Sequence, residues 1–377
     1  MFGLGCVIAA LPAGLHADPA VPDADNAPIA LLVDISSGQV LHSREADRRF
    51  LPASVTKVMT AYLAFEMLAD GRLKPDQKFT VSEKIFKDWS GTGSSMFLQR
   101  GEQVSVDRLL QGITTVSAND GSAMLAEGAA GSMAAWVVQM NKAASALGMD
   151  DSHFGTPNGW PDEGATFTSA RDLATLARAM IERHPALYAR YFGKTTFSHN
   201  GYTQRNHDPL TGVVKGADGI KTGYTREAGY NFLGTAVRDG RRLVLVVAGT
   251  DGDLERARIA REYVEWGFTA FDQRQMIPAG ATVGRAQVQG GSSRELELKT
   301  ARPVIVDMPS AETRKVAMSL HYRGPLQAPI AKGSPIAELE VRIEGFEPYR
   351  IPLIAARSVS TANPFQRLIN GVLGFLT

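Results

Sequence analysis

Cysteine is almost absent from this chain of 377 residues, and its absence restricts the chemistry that the protein can perform. The single cysteine, Cys6, lies in an apolar N-terminal stretch, residues 1–17, that is typical of the later part of a secretory signal peptide. A signal peptide should begin with a basic segment, whereas the first lysine or arginine here is Arg44. Removal of this stretch leaves no cysteine, which excludes disulfide bonds and cysteine catalysis. A lipoprotein site at Cys6 and a disordered apolar tail are the alternatives.

The chain also lacks an excess of charge and any cluster of metal ligands. Its formal net charge is +1 and it has no basic run, so we expect no nucleic-acid partner. The 7 histidines are scattered, without a His-x-x-x-His pair, so we expect neither a metal site nor a cofactor. Hydrophobic residues make up 44% and charged residues 21%, which is typical of a globular protein and, at this length, of two domains.

The order of strand and helix patterns predicts the first domain, over residues 26–270. Strand patterns flank Ser-Ser-Gly at 36–38 and Asp239-Gly240, and helical patterns fill the middle of the region. One helical pattern follows Ser169 and Asp172, which make a variant of the capping box. We therefore expect an α/β domain, in which an antiparallel sheet is covered by helices and joined to an all-helical lobe, with a site in the groove between the lobes.

The remainder of the chain differs from the first domain in its pattern of apolar and polar residues. Short segments alternate apolar and polar residues and are separated by Gly and Pro, which predicts a small all-β domain over residues 276–356. The tail, residues 362–377, repeats apolar residues at helical spacing but is shorter than the ~20 residues needed to cross a bilayer. We expect an amphipathic helix that lies in a membrane surface, with docking on the protein itself as the alternative.

Ser54 and Lys57 form the first of three motifs that point to chemistry. They lie three residues apart at the start of a helical pattern, and hence on one face of the helix. A serine hydroxyl is a weak nucleophile until a base takes its proton, and a lysine is a base only when it is neutral. Lowering the pKa of a lysine from ~10.4 to ~7 costs about 4.6 kcal/mol, which burial and a second cation can supply. Alone, the pair favours a helix cap beside an exposed lysine.

The second and third motifs are equally short. Ser117-Ala118-Asn119 stands at the start of another helical pattern, where serine or asparagine usually serves as a cap. Lys221-Thr222-Gly223 is expected to close a short strand, with a glycine that lets a backbone or a ligand come close. A strand end with a lysine, a threonine and free N–H groups suits a carboxylate. Each of these motifs, taken alone, also fits a structural role.

The order of the three motifs along the chain carries more information than any one of them. Ser-x-x-Lys, Ser-x-Asn and Lys-Thr-Gly follow one another as in the penicillin-recognising serine enzymes. The stretches SSMFLQRGEQVSVDRLLQGITTVSAND and DGIKTGYTREAGYNFL extend the similarity beyond the motifs. The chain therefore resembles the D-alanyl-D-alanine carboxypeptidases of the low-molecular-weight penicillin-binding class, which implies a β-lactamase/transpeptidase-like first domain. The later β domain and the tail also fit the domain order of that family.

The resemblance implies four catalytic residues. Ser54 attacks the carbonyl between two D-alanines and becomes an acyl-ester, while Lys57 accepts its proton. Ser117 relays a proton to the leaving D-alanine, and Asn119 orients Lys57 and the substrate amide.

The resemblance also implies a set of substrate-binding residues: Lys221, Thr222, Gly223, Tyr224 and Arg256. The lysine, the threonine and the arginine face the terminal carboxylate of the substrate, and the N–H groups of Ser54 and Tyr224 form the oxyanion hole. Arg258 lies close enough in the sequence to be an alternative to Arg256. A positive charge at Lys221 near Lys57 would also lower the pKa of the base.

The implied partners are peptidoglycan stem peptides that end in D-Ala-D-Ala, with β-lactam antibiotics as covalent inhibitors. The implied location is the periplasmic side of the bacterial cytoplasmic membrane, with the tail helix on the membrane surface. Three alternatives are a D,D-endopeptidase, a class A β-lactamase and a non-catalytic wall-binding scaffold. The β-lactamase is disfavoured because no Glu-x-x-Leu-Asn loop lies between Ser117 and Lys221, where Glu163 is followed by Gly-Ala-Thr-Phe.

Overall fold

The computed structural model of the protein describes residues 7–9, 21–22, 27–310, 312–364 and 366. A 3-10 turn at Ala53–Thr56 precedes the first of the described helices, which are α1 (Lys57–Ala69), α2 (Glu83–Trp89), α3 (Val106–Val116), α4 (Asn119–Ala130), α5 (Met133–Leu147), α6 (Ala170–Arg183), α7 (Pro185–Tyr191) and α8 (Asp253–Thr269). The described strands are β1 (Val7–Ala9), β2 (Ile29–Asp34), β3 (Gln39–Arg44), β4 (Lys78–Thr80), β5 (Gln103–Ser105), β6 (Thr196–His199), β7 (Tyr202–Arg205), β8 (Ala217–Thr225), β9 (Gly229–Arg238), β10 (Arg241–Thr250), β11 (Phe271–Ile277), β12 (Thr282–Gln289), β13 (Glu295–Thr300), β14 (Val304–Pro309), β15 (Val316–His321), β16 (Leu326–Gln327), β17 (Pro335–Ile343) and β18 (Tyr349–Ala355). The described chain forms two compact units, one made of Val21–Ile35 and Leu41–Phe268, the other of Ser36–Val40 and the chain from Thr269 onward, with β1.

The first unit is built on a five-stranded sheet in the order β3-β2-β10-β9-β8. The predicted hairpin at Asp239-Gly240 is confirmed, since β9 ends at Arg238 and pairs with β10 from Arg241. Most of β9 and β10 is buried, and α6 packs on β2 and β10. Within the described residues β8 pairs only with β9, so it forms an edge of the sheet. An edge strand offers backbone N–H and C=O groups to an extended peptide.

The helical part of the first unit surrounds α1. This helix packs against α3, α5 and α6, and nearly all of its residues are buried. A helix that is apolar on every side belongs in a core and not on a surface. The core position of α1 therefore fixes the residues at its first turn.

The predicted cap of α6 is partly confirmed. Ser169 accepts the N–H of Asp172 with its hydroxyl oxygen at 3.1 Å, as a helix cap should. The carboxylate of Asp172 accepts instead from the N–H of Asp151 at 3.0 Å and from the hydroxyl of Ser152 at 2.7 Å. The reciprocal half of the predicted capping box is therefore replaced by contacts with the loop that follows α5.

The second unit is all β in its regular elements. A seven-stranded sheet has the order β1-β15-β17-β18-β13-β12-β16, and β11 pairs with β14. Three of the segments whose alternating pattern predicts strands are RELELKT, VAMSLHY and AELEVRI, and they form strands β13, β15 and β17. Their inward side chains, with those of β14 and β18, form one hydrophobic core: Leu298, Val306, Val316, Leu339, Val341, Ile351 and Leu353.

Two of the predictions fall on the ends of the chain. The predicted signal peptide, residues 1–17, lies outside the described residues except for β1, which pairs antiparallel with β15. Of the predicted tail helix, residues 362–377, the structure describes only 362–364 and 366. None of the described helices combines the length and the apolar composition needed to cross a membrane.

Candidate active site

The first motif lies where the 3-10 turn runs into α1. Lys57 is the first residue of α1, and its Nζ lies 2.7 Å from Ser54 Oγ. The same Nζ donates to the carbonyl oxygen of Asn158, also at 2.7 Å. Lys57 is only 1% exposed, so the interpretation of an exposed lysine beside a helix cap is wrong. Ser54 and Lys57 face each other as their i, i+3 spacing predicts.

The surroundings of Lys57 favour its neutral form. Burial lowers the pKa of Lys57 well below its usual value, and the positive charge of Lys221 lowers it further. The carboxylate of Asp120 acts in the opposite direction and offsets only part of this effect. A neutral amine can accept the hydroxyl proton of Ser54 while it donates to Asn158. The geometry therefore suits a serine nucleophile activated by a lysine base.

A loop that the sequence analysis did not single out holds the lysine from the other side. Asn158, whose carbonyl contacts Lys57, accepts the N–H of Trp160 with its Oδ1 at 3.1 Å. The next residue, Gly159, has a φ of +73°, and a β-carbon there would lie 1.8 Å from the carbonyl oxygen of Ala53. Only glycine permits this approach. The dipeptide Asn-Gly signals a turn in the sequence, but it does not show that the turn packs against the nucleophile.

The second motif connects α3 to α4. Ser117 ends α3 with a left-handed backbone, and Asn119 is the first residue of α4. The hydroxyl of Ser117 is buried and has no hydrogen-bond partner among the described residues. Asn119 Nδ2 donates to the carbonyl oxygen of Thr92 at 3.0 Å. A buried hydroxyl without a partner is a group that a bound molecule can satisfy, while the roles implied for both residues stay predictions.

Asp120, next to the second motif, is a buried carboxylate that the sequence analysis missed. It accepts from the hydroxyl of Ser95 at 2.6 Å, from the N–H of Met96 at 3.0 Å and from the N–H of Leu98 at 3.1 Å. Its place in the first turn of α4 suits a negative charge. The carboxylate thus ties the preceding loop to the start of α4. Its negative charge raises the pKa of Lys57 and so opposes the effects of burial and of Lys221.

The third motif lies inside β8 and not at the end of a short strand, so that expectation is wrong. β8 runs from Ala217 to Thr225 and pairs with β9 along its whole length. A β-carbon on Gly223 would lie 2.3 Å from the carbonyl oxygen of Pro52 and 3.1 Å from the backbone nitrogen of Val55. The expected close approach at this glycine is therefore made by the turn that carries the nucleophile. Glycine lets the edge strand and the nucleophile touch.

Lys221 and Arg256 form a buried pair of cations beside this strand. Lys221 is 5% exposed, Arg256 is 3% exposed, and Lys221 Nζ donates to the carbonyl oxygen of Thr222 at 2.8 Å. Burial and the charge of Arg256 lower the pKa of Lys221 to about 7, against an opposing effect of Asp208. Burial also lowers the pKa of Arg256, which pairs with Asp253. Two buried cations in one place suit an anionic group of a ligand.

Two further residues near this strand are at least partly exposed. Arg258 forms an ion pair with Glu262 at 2.9 Å and is partly exposed, so the geometry favours Arg256 as the neighbour of Lys221. Tyr224 is 53% exposed, and its ring stacks on that of Tyr230 at 4.2 Å. Its implied contribution comes from its backbone N–H, and that role stays a prediction.

Asn231 on β9 is a second buried residue that sequence reasoning missed. Its Nδ2 donates to the carbonyl oxygen of Leu51 at 2.9 Å, and its Oδ1 accepts the N–H of Gly249 at 2.9 Å. The side chain thus joins β9, the end of β10 and the segment just before the nucleophile. A lone asparagine inside an apolar strand pattern was the available signal, since such a residue must find partners when it is buried.

Segments that are far apart in the sequence therefore meet at one place. Lys57 contacts Ser54 directly, and Gly223 lies against Pro52 and Val55 of the turn that carries Ser54. Lys221 acts on Lys57 through its charge. The described residues contain no group of three or more His, Cys, Asp or Glu that could hold a metal ion. The arrangement combines a nucleophile, a neutral base, an edge strand and paired cations. It suits acyl transfer from an extended peptide that ends in a carboxylate.

Family comparisons agree with this chemistry. Residues 17–252 match the model of the Peptidase S11 family, described as D-alanyl-D-alanine carboxypeptidase. Residues 271–361 match the model of the C-terminal domain of penicillin-binding protein 5. An α/β catalytic domain followed by an all-β domain is thus the architecture of the matched proteins, which confirms the predicted fold class.

Individual relatives cover nearly the whole chain. The protein is 34% identical to the D-alanyl-D-alanine carboxypeptidase DacD of Salmonella typhimurium, over 92% of this chain and 90% of that protein. It is 32% identical to the carboxypeptidase DacA of Escherichia coli, over 93% of this chain and 88% of that protein. The crystal structure of penicillin binding protein 5 from Haemophilus influenzae matches with a TM-score of 0.76 at 29% identity, over 92% of this chain and 100% of that one. The chain belongs to the D-alanyl-D-alanine carboxypeptidase family.

Proposed function

We propose that the protein is a serine-type D-Ala-D-Ala carboxypeptidase, which removes the terminal D-alanine from peptidoglycan stem peptides through an acyl-enzyme on Ser54. The observation that carries this proposal is the 2.7 Å approach of the buried Lys57 amine to the Ser54 hydroxyl. The pKa of Lys57 is held well below its usual value, so the amine is free to act as a base.

The reaction has two steps. In the first, Ser54 Oγ attacks the carbonyl carbon between the two D-alanines while Lys57 takes its proton. The peptide C–N bond breaks, the leaving amine receives a proton relayed through Ser117, and free D-alanine departs from an acyl-ester. In the second step, water loses a proton to Lys57 and attacks the ester carbon. Ser54 recovers its hydroxyl proton, and the shortened peptide is released.

The substrate is held as an added strand at the edge of the sheet. The peptide lies along β8, with its terminal carboxylate near Lys221, Thr222 and Arg256. The buried cations of this cluster support that placement, because a carboxylate restores the charge balance there. The N–H groups of Ser54 and Tyr224 stabilise the developing oxyanion. In this arrangement Asn119 orients the substrate amide.

The test is release of D-alanine from a stem pentapeptide that ends in D-Ala-D-Ala. The wild-type protein should release one D-alanine per peptide, and Ser54→Ala should lower the rate by at least about 10³-fold. A fluorescent penicillin should label the wild type and leave Ser54→Ala dark, whereas a non-catalytic scaffold would stay dark in both forms. Cross-linked peptide dimers are assayed in parallel. Cleavage of the dimers alone would replace the proposal with a D,D-endopeptidase, and rapid turnover of penicillin would replace it with a β-lactamase.

The place of action that we propose is the periplasmic side of the cytoplasmic membrane. The support is the apolar stretch at residues 1–17 and the helical spacing of apolar residues at 362–377. Membranes from cells that express the full chain, or a chain ending at residue 361, should be separated from soluble periplasmic protein. The full chain should stay with the membrane and the shorter chain should not. Equal distribution of the two would remove the tail as an anchor.

A further inference from the structure

Two side chains on one face of α1 donate to successive backbone carbonyls of the segment between α5 and α6. Lys57 Nζ donates to the carbonyl oxygen of Asn158 at 2.7 Å. Thr60 Oγ1 donates to the carbonyl oxygen of Pro157 at 2.6 Å. Thr60 is fully buried, and its three-residue spacing from the lysine puts both side chains on the same side of the helix. The first contact belongs to the lysine of the site, and the second is formed by a residue that takes no part in the reaction itself.

The segment runs along α1 in the direction opposite to that of the helix. Pro157 contacts Thr60, and the next residue, Asn158, contacts the lysine one turn earlier in the helix. The residue after that, Gly159, has no room for a β-carbon beside the turn that carries the nucleophile. Three consecutive residues are therefore held in place by three successive positions at the start of α1.

The contact at Pro157 determines where the carbonyl group of Asn158 points. The peptide group between these two residues is planar, so a hydrogen bond to the Pro157 carbonyl orients the whole group. Only the two backbone dihedral angles of Asn158 separate this group from the next one, which holds the carbonyl that faces Lys57. The close packing of Gly159 restricts those angles from the other side. Loss of the Thr60 contact would therefore move the acceptor of the lysine.

The direction of the Thr60 hydroxyl proton is set by Trp136 on α5. The indole Nε1 of Trp136 lies 3.2 Å from Thr60 Oγ1. An indole N–H can only donate, so the hydroxyl oxygen accepts from it and keeps its own proton for another acceptor. The Pro157 carbonyl at 2.6 Å is a better acceptor for that proton than the sulfur of Met140 at 3.7 Å. Trp136, Thr60 and Pro157 thus form a buried chain of hydrogen bonds with a fixed order of donors.

We propose that Thr60 is a positioning residue for the base, whose hydroxyl holds the segment so that the carbonyl oxygen of Asn158 stays within hydrogen-bond distance of Lys57. The proposal rests on the function proposed above, since that function makes the lysine a base. A neutral amine that donates to Asn158 can direct its lone pair at the hydroxyl of Ser54, as proton abstraction requires. Thr60 acts on this geometry through the backbone of the segment.

The test compares Thr60→Val with Thr60→Ser. Valine has nearly the shape of threonine but no hydroxyl, whereas serine keeps the hydroxyl and loses the methyl group. Thr60→Val should lower the kcat for D-alanine release about tenfold or more, because a small displacement of a catalytic group is costly, and should change KM by less than about twofold. Thr60→Ser should keep kcat within about threefold of the wild type, because its hydrogen bond to the segment is retained.

The dependence of activity on pH separates a positioning role from a purely structural one. A carbonyl acceptor stabilises the charged form of an amine more than the neutral form. When the oxygen of Asn158 moves away in Thr60→Val, the pKa of Lys57 should fall and the acidic limb of kcat/KM should move to lower pH. A replacement that only loosened the packing would lower the rate without moving this limb. The acidic limb of Thr60→Ser should coincide with that of the wild type.

A matched control is Thr300→Val in the second unit. Thr300 is 1% exposed, and its hydroxyl also donates to a proline carbonyl, that of Pro278, at 2.8 Å. Its replacement removes the same kind of contact and should leave kcat, KM and the pH profile unchanged. Rates are expressed per molecule that a fluorescent penicillin labels at saturation, so that unfolded molecules do not contribute. Thr60→Ala removes the same hydroxyl with a smaller side chain and should repeat the changes of Thr60→Val, so the test does not depend on one variant.

The outcomes separate this inference from the proposed function. If Thr60→Val released D-alanine with the kcat and the acidic limb of the wild type, the positioning role would be overturned and the carboxypeptidase would stay intact. A lower kcat with an unmoved acidic limb, or equal losses in Thr60→Val and Thr60→Ser, would assign the effect to packing and would also overturn it. A wild type that neither releases D-alanine nor is labelled by penicillin would overturn the proposed function, and the positioning role with it.

Discussion

Replacing Lys221 with methionine should stabilise the fold while it damages the site. Lys221 is 5% exposed and lies beside a second buried cation, Arg256. Methionine keeps the length of the side chain and removes the charge. The replacement therefore isolates what the folded protein loses by burying this ammonium group.

The magnitude follows from the pKa. A fall from 10.5 to about 7 means that the folded protein binds this proton less tightly than the unfolded chain by roughly 5 kcal/mol. Below pH 7 the lysine is charged in both states, and the folded state bears the whole cost. Between pH 7 and 10.5 the folded state sheds the proton while the unfolded chain keeps it, so the free energy of unfolding rises with pH. Lys221→Met should therefore gain roughly 2–5 kcal/mol at pH 6, and the gain should shrink towards pH 10.

The assay is urea unfolding of the full chain at several pH values between 6 and 9.5. Lys142→Met is the matched control, because Lys142 is an exposed lysine on α5 for which little change is expected at any pH. The same variants are assayed for D-alanine release. Lys221→Met should raise KM by about tenfold or more, since a charged hydrogen bond to the substrate is lost. In the pH–activity profile of this variant, the acidic limb should move to higher pH, because the pKa of Lys57 rises once the charge of Lys221 is gone.

Two results would refute this reasoning. If wild type and Lys221→Met had parallel curves of unfolding free energy against pH, Lys221 would not carry the lowered pKa. If KM rose but the acidic limb of activity stayed in place, Lys221 would bind the substrate without tuning Lys57. The two halves of the argument are thus tested by separate measurements.

Three further predictions concern the surroundings of the nucleophile. Gly159→Ala should cost about 2–4 kcal/mol in thermal or urea unfolding and slow acylation by penicillin, because its β-carbon overlaps the nucleophile turn at 1.8 Å and the residue has a positive φ. Asp120→Asn should move the acidic limb of kcat/KM to lower pH, because a carboxylate that raises the pKa of Lys57 is removed, and should lower the free energy of unfolding by about 1–3 kcal/mol. Arg256→Ala should raise the KM for D-alanine release roughly tenfold, whereas Arg258→Ala, which removes the partner of Glu262 in a partly exposed ion pair, should stay within about twofold.

Sequence patterns correctly predicted the parts of the fold that depend on interactions between residues close together in the sequence. The hairpin at Asp239-Gly240 follows from turn chemistry between two apolar runs, and the cap at Ser169 follows from the unsatisfied N–H groups of a helix. The pairing of Ser54 with Lys57 has the same origin, because an i, i+3 spacing fixes which side chains share a face. The family resemblance then supplied the relation of these residues to the distant motifs.

The residues that were missed depend on contacts between distant segments. Asn158 reaches Lys57 through its backbone carbonyl, and any residue type presents a carbonyl, so no residue pattern marks it. Asn231 joins strands to the nucleophile segment across the fold. The third motif was placed at the end of a short strand, whereas the structure continues the strand to Thr225 and uses Gly223 for contact with the turn. A single sequence contains the residues of such contacts but not their partners.

Under the proposed function, the lowered pKa of Lys221 links recognition of the substrate to activation of the base. At neutral pH a lysine with a pKa of about 7 is charged in about half of the molecules. Under the proposed function, a substrate carboxylate beside Lys221 favours the charged form of this lysine. A charge on Lys221 lowers the pKa of Lys57. A peptide without a terminal carboxylate would therefore bind less tightly and would also leave the base less active. We therefore expect any preference for a terminal carboxylate to depend on the charge of Lys221 as well as on the shape of the site.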